Sequence, residues 1–402
     1  MTFAADKPTI ENAELAAGRK RSARVPWFDG ARGYLLTMMY LAHYTFTLNT
    51  PIIWLHHGWH IPVMDGEFFV LISGFVCALA YYGAHKKNGM KGSFLSVMSR
   101  LKWVYVYQVA VSILMIFIFR YFGDTEVQPY YRADFNTPLL QQFISVLQLR
   151  TMPPYLNILM LYMALMLFIP LAFAALEKGW RWRYLAVIAG LWIFVELGWH
   201  TQLDHVIRSV FPYQKYIGLM GYFQPLTYAT LFYGAFMLGY FSRKGVKIAE
   251  TGPARLRPSL FYASLFILAL GVLGYITWRL KLIPVELAVP QRQNLSIQGI
   301  VTTFAASYAI WFLIARDGLN PVFDKLSAAT RWFFSIPVFQ MLGKNSLFVY
   351  SMHVVAMFLA AYVVIILGFK DSLIGKLAGL AGGYAFLVAI TWAKNRFLPN
   401  LP

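Results

Sequence analysis

At 402 residues the chain has the length of two or three soluble domains, yet 59% of it is hydrophobic and only 13% charged, with a mean hydropathy of +0.55. That balance excludes an ordinary soluble enzyme and makes lipid the expected solvent. A formal charge of +18 would suggest nucleic-acid binding on a soluble domain, but here it reads as topology; the single cysteine, Cys77, excludes an intrachain disulfide and a stapled exported domain.

In chain order, residues 1–28 are a polar arm with Lys20, Arg21 and Arg24 near its end and no apolar signal core, read as cytoplasmic rather than as a signal peptide. Apolar stretches of bilayer length follow at roughly 31–49, 66–84, 103–121, 155–176, 184–199, 223–241, 258–278, 296–315, 340–367 and 373–394. The expected fold is thus all-α, about ten transmembrane helices in one domain over 29–396, with a short tail at 397–402. With a cytoplasmic N-terminus, inside segments hold 23 Lys/Arg and outside segments 10, so the positive-inside rule favours both ends in the cytoplasm. Two inside loops are plainly basic: Lys86, Lys87, Lys91, Arg100 and Lys102 in one, Arg243, Lys244, Lys247, Arg255 and Arg257 in the other. Topogenic charge and attraction to anionic lipid explain most of them; holding a cytosolic donor's phosphates is the functional alternative.

The longest outside connection, 122–154, carries Asp124, Glu126, Arg132 and Asp134, as a solvated loop would. Within it Thr137 to Leu149 is apolar enough to lie along the interface, and Met152-Pro153-Pro154 ends any helix. Gly375, Gly379 and Gly383 make a small-residue stripe on the last span, which close helix packing explains better than chemistry.

Ionisable groups inside spans are expensive, so those present are informative. Arg32 and His43 are eleven residues apart, which returns them to one helix face about 16 Å apart along the axis. A cation near the cytoplasm and a titratable imidazole deeper in suit acyl transfer from a thioester donor. The cation meets phosphate or carboxylate, and the imidazole takes a proton from an acceptor hydroxyl. The bland reading pairs Arg32 with Asp29 at the helix start and satisfies His43 with a hydroxyl such as Thr47. Glu67, opening the second span, either orients His43 or simply suits the helix dipole. His56, His57 and His60 have chelating spacings, but Gly58, Trp54 and Trp59 favour an interfacial aromatic turn, so no metal is assigned. His200, Asp204 and His205 read as outside-loop residues that could line an acceptor cleft. No nucleophile elbow, zinc-protease pair, phosphate loop or dinucleotide fingerprint is present.

Three segments carry a resemblance. Phe28-Asp29-Gly30-Ala31-Arg32-Gly33 is followed by His43; Glu67 stands ahead of Ser73-Gly74-Phe75; and Leu342-Gly343-Lys344-Asn345-Ser346 leads to Tyr350 and His353. These are similar to the motifs of the acyltransferase-3 membrane proteins. Leu156-Asn157-Ile158-Leu159-Met160-Leu161-Tyr162 and Phe223-Gln224-Pro225-Leu226 resemble those of the OpgC-type succinyltransferases of osmoregulated periplasmic glucans. Ala31 stands where the family usually has Leu, and Gly66 softens the approach to Glu67. The resemblance implies a multi-pass protein of the bacterial inner membrane, with catalysis at His43, Glu67 and Asp29. Donor and substrate binding would fall to Arg32, Arg100, Ser73, Asn345, Ser346, Tyr350 and His353. No cofactor is bound permanently; succinyl-CoA or another acyl-CoA is the donor, a periplasmic glucan the acceptor and the bilayer the surroundings, with no nucleic acid partner. An O-acetyltransferase acting on lipopolysaccharide or exopolysaccharide stays open as the alternative, and so does a transporter of acyl glycans. The oligomeric state and a covalent as against a direct mechanism are left undecided.

Overall fold

The structure, a computed structural model, describes residues 26–122, 138–210, 223–244, 257–315 and 318–401. The arm up to residue 25, including Lys20, Arg21 and Arg24, lies outside the described residues, as do Asp124, Glu126, Arg132, Asp134, Lys247 and Arg255.

Pro26 sits at the first helical position of α1 (Pro26–Thr47), where its missing N–H is no loss, and Asp29 in the first turn suits the dipole. The helix stops short of Asn49, which takes a left-handed φ of 45°, and of Pro51. Next comes α2 (Asp65–Phe122), 58 residues long, which reverses at Asn88 and Gly89, where the dihedrals leave helical space. Gly89 adopts φ 58, ψ −148, a region in practice reserved for glycine. His85 braces the reversal: its Nδ1 bonds Ser93 Oγ at 3.0 Å, and its Nε2 lies 3.0 Å from Glu177.

The chain continues through α3 (Leu139–Leu147), α4 (Asn157–Met166), α5 (Ile169–Glu177), α6 (Arg181–Glu196), α7 (Trp199–Val210), α8 (Pro225–Arg243) and α9 (Pro258–Arg279). It ends with α10 (Val285–Ala288), α11 (Ile297–Ala315), α12 (Pro321–Phe334), α13 (Pro337–Lys344), α14 (Ser346–Ile366) and α15 (Leu373–Phe397). Among the described residues there is no strand. Among the described residues six helical stretches are long and apolar enough to cross a membrane: α2, α4 with α5, α9, α11, α14 and α15. The outward faces of α9 (Tyr262, Phe266, Leu270, Leu273) and α15 (Ile374, Leu377, Phe386) stay exposed and apolar, as lipid-facing surfaces do.

Helix α1 runs through the middle of the bundle. Its N-terminal half meets α12 and α13 backbone to backbone: a Cβ on Gly33 would overlap the Phe339 carbonyl, and one on Gly343 the Asp29 carbonyl. On its other side Tyr40 and Tyr44 donate to the carbonyls of Leu380 and Lys376 at 3.1 and 2.8 Å, and Thr37 bonds Tyr384. Those tyrosines lie against the Gly379 and Gly383 stripe of α15, in keeping with close packing there.

Two expected spans are broken. The stretch 155–176 divides into α4 and α5 at Leu167 and Phe168, because Pro170 cannot donate the N–H a continuous helix needs at that point. The stretch 340–367 divides at Asn345 (φ −107, ψ 30), whose amide turns back to the Met341 carbonyl at 2.7 Å. Conversely, the basic loop expected between the second and third spans is helical almost throughout; Lys86, Lys87, Lys91, Arg100 and Lys102 ride on the two arms of α2.

Candidate functional site

His43 lies three helical turns beyond Arg32 on α1 and is half-buried. Its imidazole stacks on Tyr155, ring centroids 4.0 Å apart, and its Nδ1 is 2.9 Å from Nε2 of His353 on α14. His353 is fully buried, and its Nδ1 bonds the Tyr350 carbonyl one turn earlier. The Tyr350 hydroxyl donates to the Tyr155 carbonyl, which closes a ring of four residues.

This ring fixes protons. A carbonyl only accepts, so His353 Nδ1 must carry hydrogen. Its neutral Nε2 then has the lone pair and accepts from His43 Nδ1–H. What remains is a lone pair on His43 Nε2, the atom a general base uses.

Glu67, buried in the first turn of α2, does not hydrogen-bond His43. Its Oε1 lies 3.1 Å from the Tyr228 hydroxyl and 3.4 Å from Nε of Arg292, while Oε2 is buried without a hydrogen-bond partner among the described residues. Arg292 belongs to the connection between α10 and α11, and both it and His56 are within electrostatic range of His43. No sequence motif marked Arg292. The nearest cue is Phe223-Gln224, within one of the two segments that resemble the OpgC type: the guanidinium sits 5.8 Å from the Phe223 ring, and the Gln224 N–H donates to the Gln293 carbonyl at 2.9 Å.

At the opposite end of α1, Arg32 and Arg100 converge. Both lie within electrostatic range of the Cys77 thiol and the Tyr162 hydroxyl, themselves 3.1 Å apart. Arg32 and His43 thus face the same short stretch, Tyr155 to Tyr162, as their spacing requires. Among the described residues no ion pair joins Arg32 to Asp29, and Arg32 Nε is buried without a hydrogen-bond partner. Asp29 sits fourteen residues before His43, about 21 Å along the helix, too far to touch the imidazole.

The remaining residues of the resemblance divide. Tyr350 and His353 are at the site. Asn345 is committed elsewhere: its Oδ1 accepts from the buried Lys394 ammonium at 2.9 Å, which ties α15 to the α13–α14 break. Ser346 opens α14, seven residues or about 10 Å from His353. Ser73 is buried beside Gly74, where α2 and α8 touch through their backbones. His200 and His205 lie on α7, and the Asp204 side chain is outside the described residues.

His56, His57 and Asp65 bring three potential ligand atoms within 4.8 Å of one another. Their hydrogen bonds speak against a metal. His56 Nδ1 accepts from the Gly58 N–H at 2.9 Å, so its proton is on Nε2, which donates to Asp65 at 2.6 Å instead of offering a lone pair. His57 Nδ1 meets the Tyr34 hydroxyl at 3.1 Å. Burial holds the His57 imidazole below its usual value, chiefly by desolvation, with His56 adding to the effect and Asp65 opposing it. His60 stands apart, its Nε2 2.6 Å from the Trp54 carbonyl. The cluster ties the 48–64 connection to α1 and the start of α2.

Neither curated proteins nor solved structures supply a match. The family model described as OpgC protein matches residues 22–398, from just before α1 to the residue after α15. That match covers every residue of the His43 ring and both arginine groups, and the chain belongs to the OpgC family.

Proposed function

We propose that this membrane protein is an O-acyltransferase that moves an acyl group, succinyl in our reading, from a cytosolic acyl-CoA to a hydroxyl of a periplasmic glucan. Membership of the OpgC family supports a glucan-modifying, acyltransferase-like function. The observation that carries the chemistry is the proton order around His43, which leaves Nε2 as the acceptor. Arg32 and Arg100 suit the phosphates of the donor at the inner end of α1. The acceptor hydroxyl loses its proton to His43 Nε2 as its oxygen attacks the thioester carbonyl. The C–O bond forms, the C–S bond breaks, and the proton passes to the departing thiolate. His353 acts through His43 as a positioning residue, and Glu67 acts on Arg292. Ten spans with both termini in the cytoplasm, in a bacterial inner membrane, complete the reading.

The test is reconstitution of the full chain in liposomes with succinyl-CoA and a glucan freed of acyl groups. Transfer by the wild type and its loss by roughly 10²- to 10⁴-fold in His43→Ala are expected. Full transfer by that variant, or glucan crossing the bilayer with no ester formed, would overturn the reading. Loss of acetyl with retention of succinyl on the glycans of a deletion strain would move it to the acetyl alternative.

A further inference from the structure

The connection between α10 and α11 is pinned at three carbonyls within four residues. The Tyr228 hydroxyl lies 2.9 Å from the Arg292 carbonyl, the Gln224 N–H donates to that of Gln293 at 2.9 Å, and the Trp192 indole donates to that of Leu295 at 3.0 Å. Leu295 is fully buried and holds a left-handed φ of 49°. A loop fixed this firmly sets where the Arg292 side chain begins. The side chain keeps 34% of its surface, whereas Glu67 beneath it keeps 4%. Glu67 meets the guanidinium at Nε, and Nη2 reaches over Gly66, 3.6 Å from where a Cβ on that residue would stand. A planar guanidinium is thus anchored by a buried acid along one edge and reaches out past a residue without a side chain, within electrostatic range of the base.

The charges matter for the reaction. Arg292 lies within electrostatic range of His43 and opposes the imidazolium that forms when His43 takes a proton. A carboxylate brought by the substrate would offset that opposing charge, and a guanidinium is the side chain built to receive a carboxylate through parallel N–H bonds. We infer that Arg292 binds the free carboxylate of a dicarboxylic acyl group and so selects a succinyl-type donor over an acetyl-type one. The inference rests on the acyl-transfer reading above. The distal carboxylate is unchanged in the reaction; it positions the thioester carbonyl, and acetyl, which lacks it, gains nothing from Arg292.

The experiment measures kcat/KM for succinyl-CoA and acetyl-CoA separately, with the full chain in liposomes and de-acylated glucan as acceptor. The wild type should prefer succinyl-CoA, and Arg292→Gln should lower the succinyl-to-acetyl ratio by roughly 10²-fold, mostly through KM for succinyl-CoA. Arg292→Lys, which keeps the charge and loses the fork, should fall between. Because Arg292→Gln strands a buried carboxylate, the double variant Glu67→Gln/Arg292→Gln removes both charges and should lose the preference equally. A parallel fall for both donors, or an unmoved ratio in folded protein, overturns the inference. A wild type that uses both donors equally does the same but leaves acyl transfer standing. A wild type that uses neither removes the acyl-transfer reading itself.

Discussion

A hydrogen bond between two imidazoles is informative only when something outside the pair dictates which nitrogen holds the proton, and the Tyr350 carbonyl does so. His353→Gln should therefore cost more than a lost contact, because an amide at that place can present either end to His43. We expect kcat to fall by roughly 10²-fold or more with KM for the donor little changed, and the acid limb of the rate profile to move. An unchanged profile with only a lowered melting temperature would make His353 a packing residue. His57 gives a second prediction. Its folded value lies below the unfolded value of about 6.5, so the fold binds less proton than the unfolded chain; its contribution is whole above that pH and drains away as pH falls toward the folded value. His57→Asn should flatten the fall of melting temperature as pH drops below about 6.5, and an unaltered slope would count against it. At this scale His43 and Arg32 were legible because eleven residues of helix leave little choice of face. Arg292 was not, since a loop arginine becomes special only through what Tyr228, Gln224 and Trp192 do to its backbone.

Helices are held here by surfaces with no side chain between them. The approach of α1 to α13 at Gly33 and Gly343 leaves the added methyl of Gly33→Ala or Gly343→Ala against backbone, which cannot rotate out of the way. Either variant should lower stability by about 1–3 kcal/mol or more, read as a drop in the detergent-solubilised melting temperature. Gly382→Ala, on α15 beside Gly383 but off the stripe and with open space around its Cβ position, is the control and should stay near wild type. The long apolar helices were legible from hydropathy, and the apolar stretch up to Leu149 holds the short helix α3. The helices α7, α12 and α13 were not, because each mixes polar and apolar residues over fewer than fifteen positions and none announces itself as a span. Nor was the break at Asn345, whose Oδ1 is met by Lys394 from 49 residues later in the chain.

Across the whole molecule, α1 sets Arg32 near one end and His43 toward the other, some 16 Å apart. On the proposed reading these ends open to different compartments, and that has an electrical consequence. The hydroxyl proton starts outside and finishes on a thiol released inside, while a succinyl group carries its negative charge the opposite way. Both displacements run down the gradient of a membrane that is negative on the inner side, where a full crossing of one charge is worth about 2.3 kcal/mol per 100 mV. Liposomes clamped by a potassium gradient and valinomycin should accordingly esterify glucan faster with the donor side negative than with no potential. An acyl group without the carboxylate should feel only the proton's share, so succinyl-CoA and acetyl-CoA should differ in how steeply their rates follow the voltage.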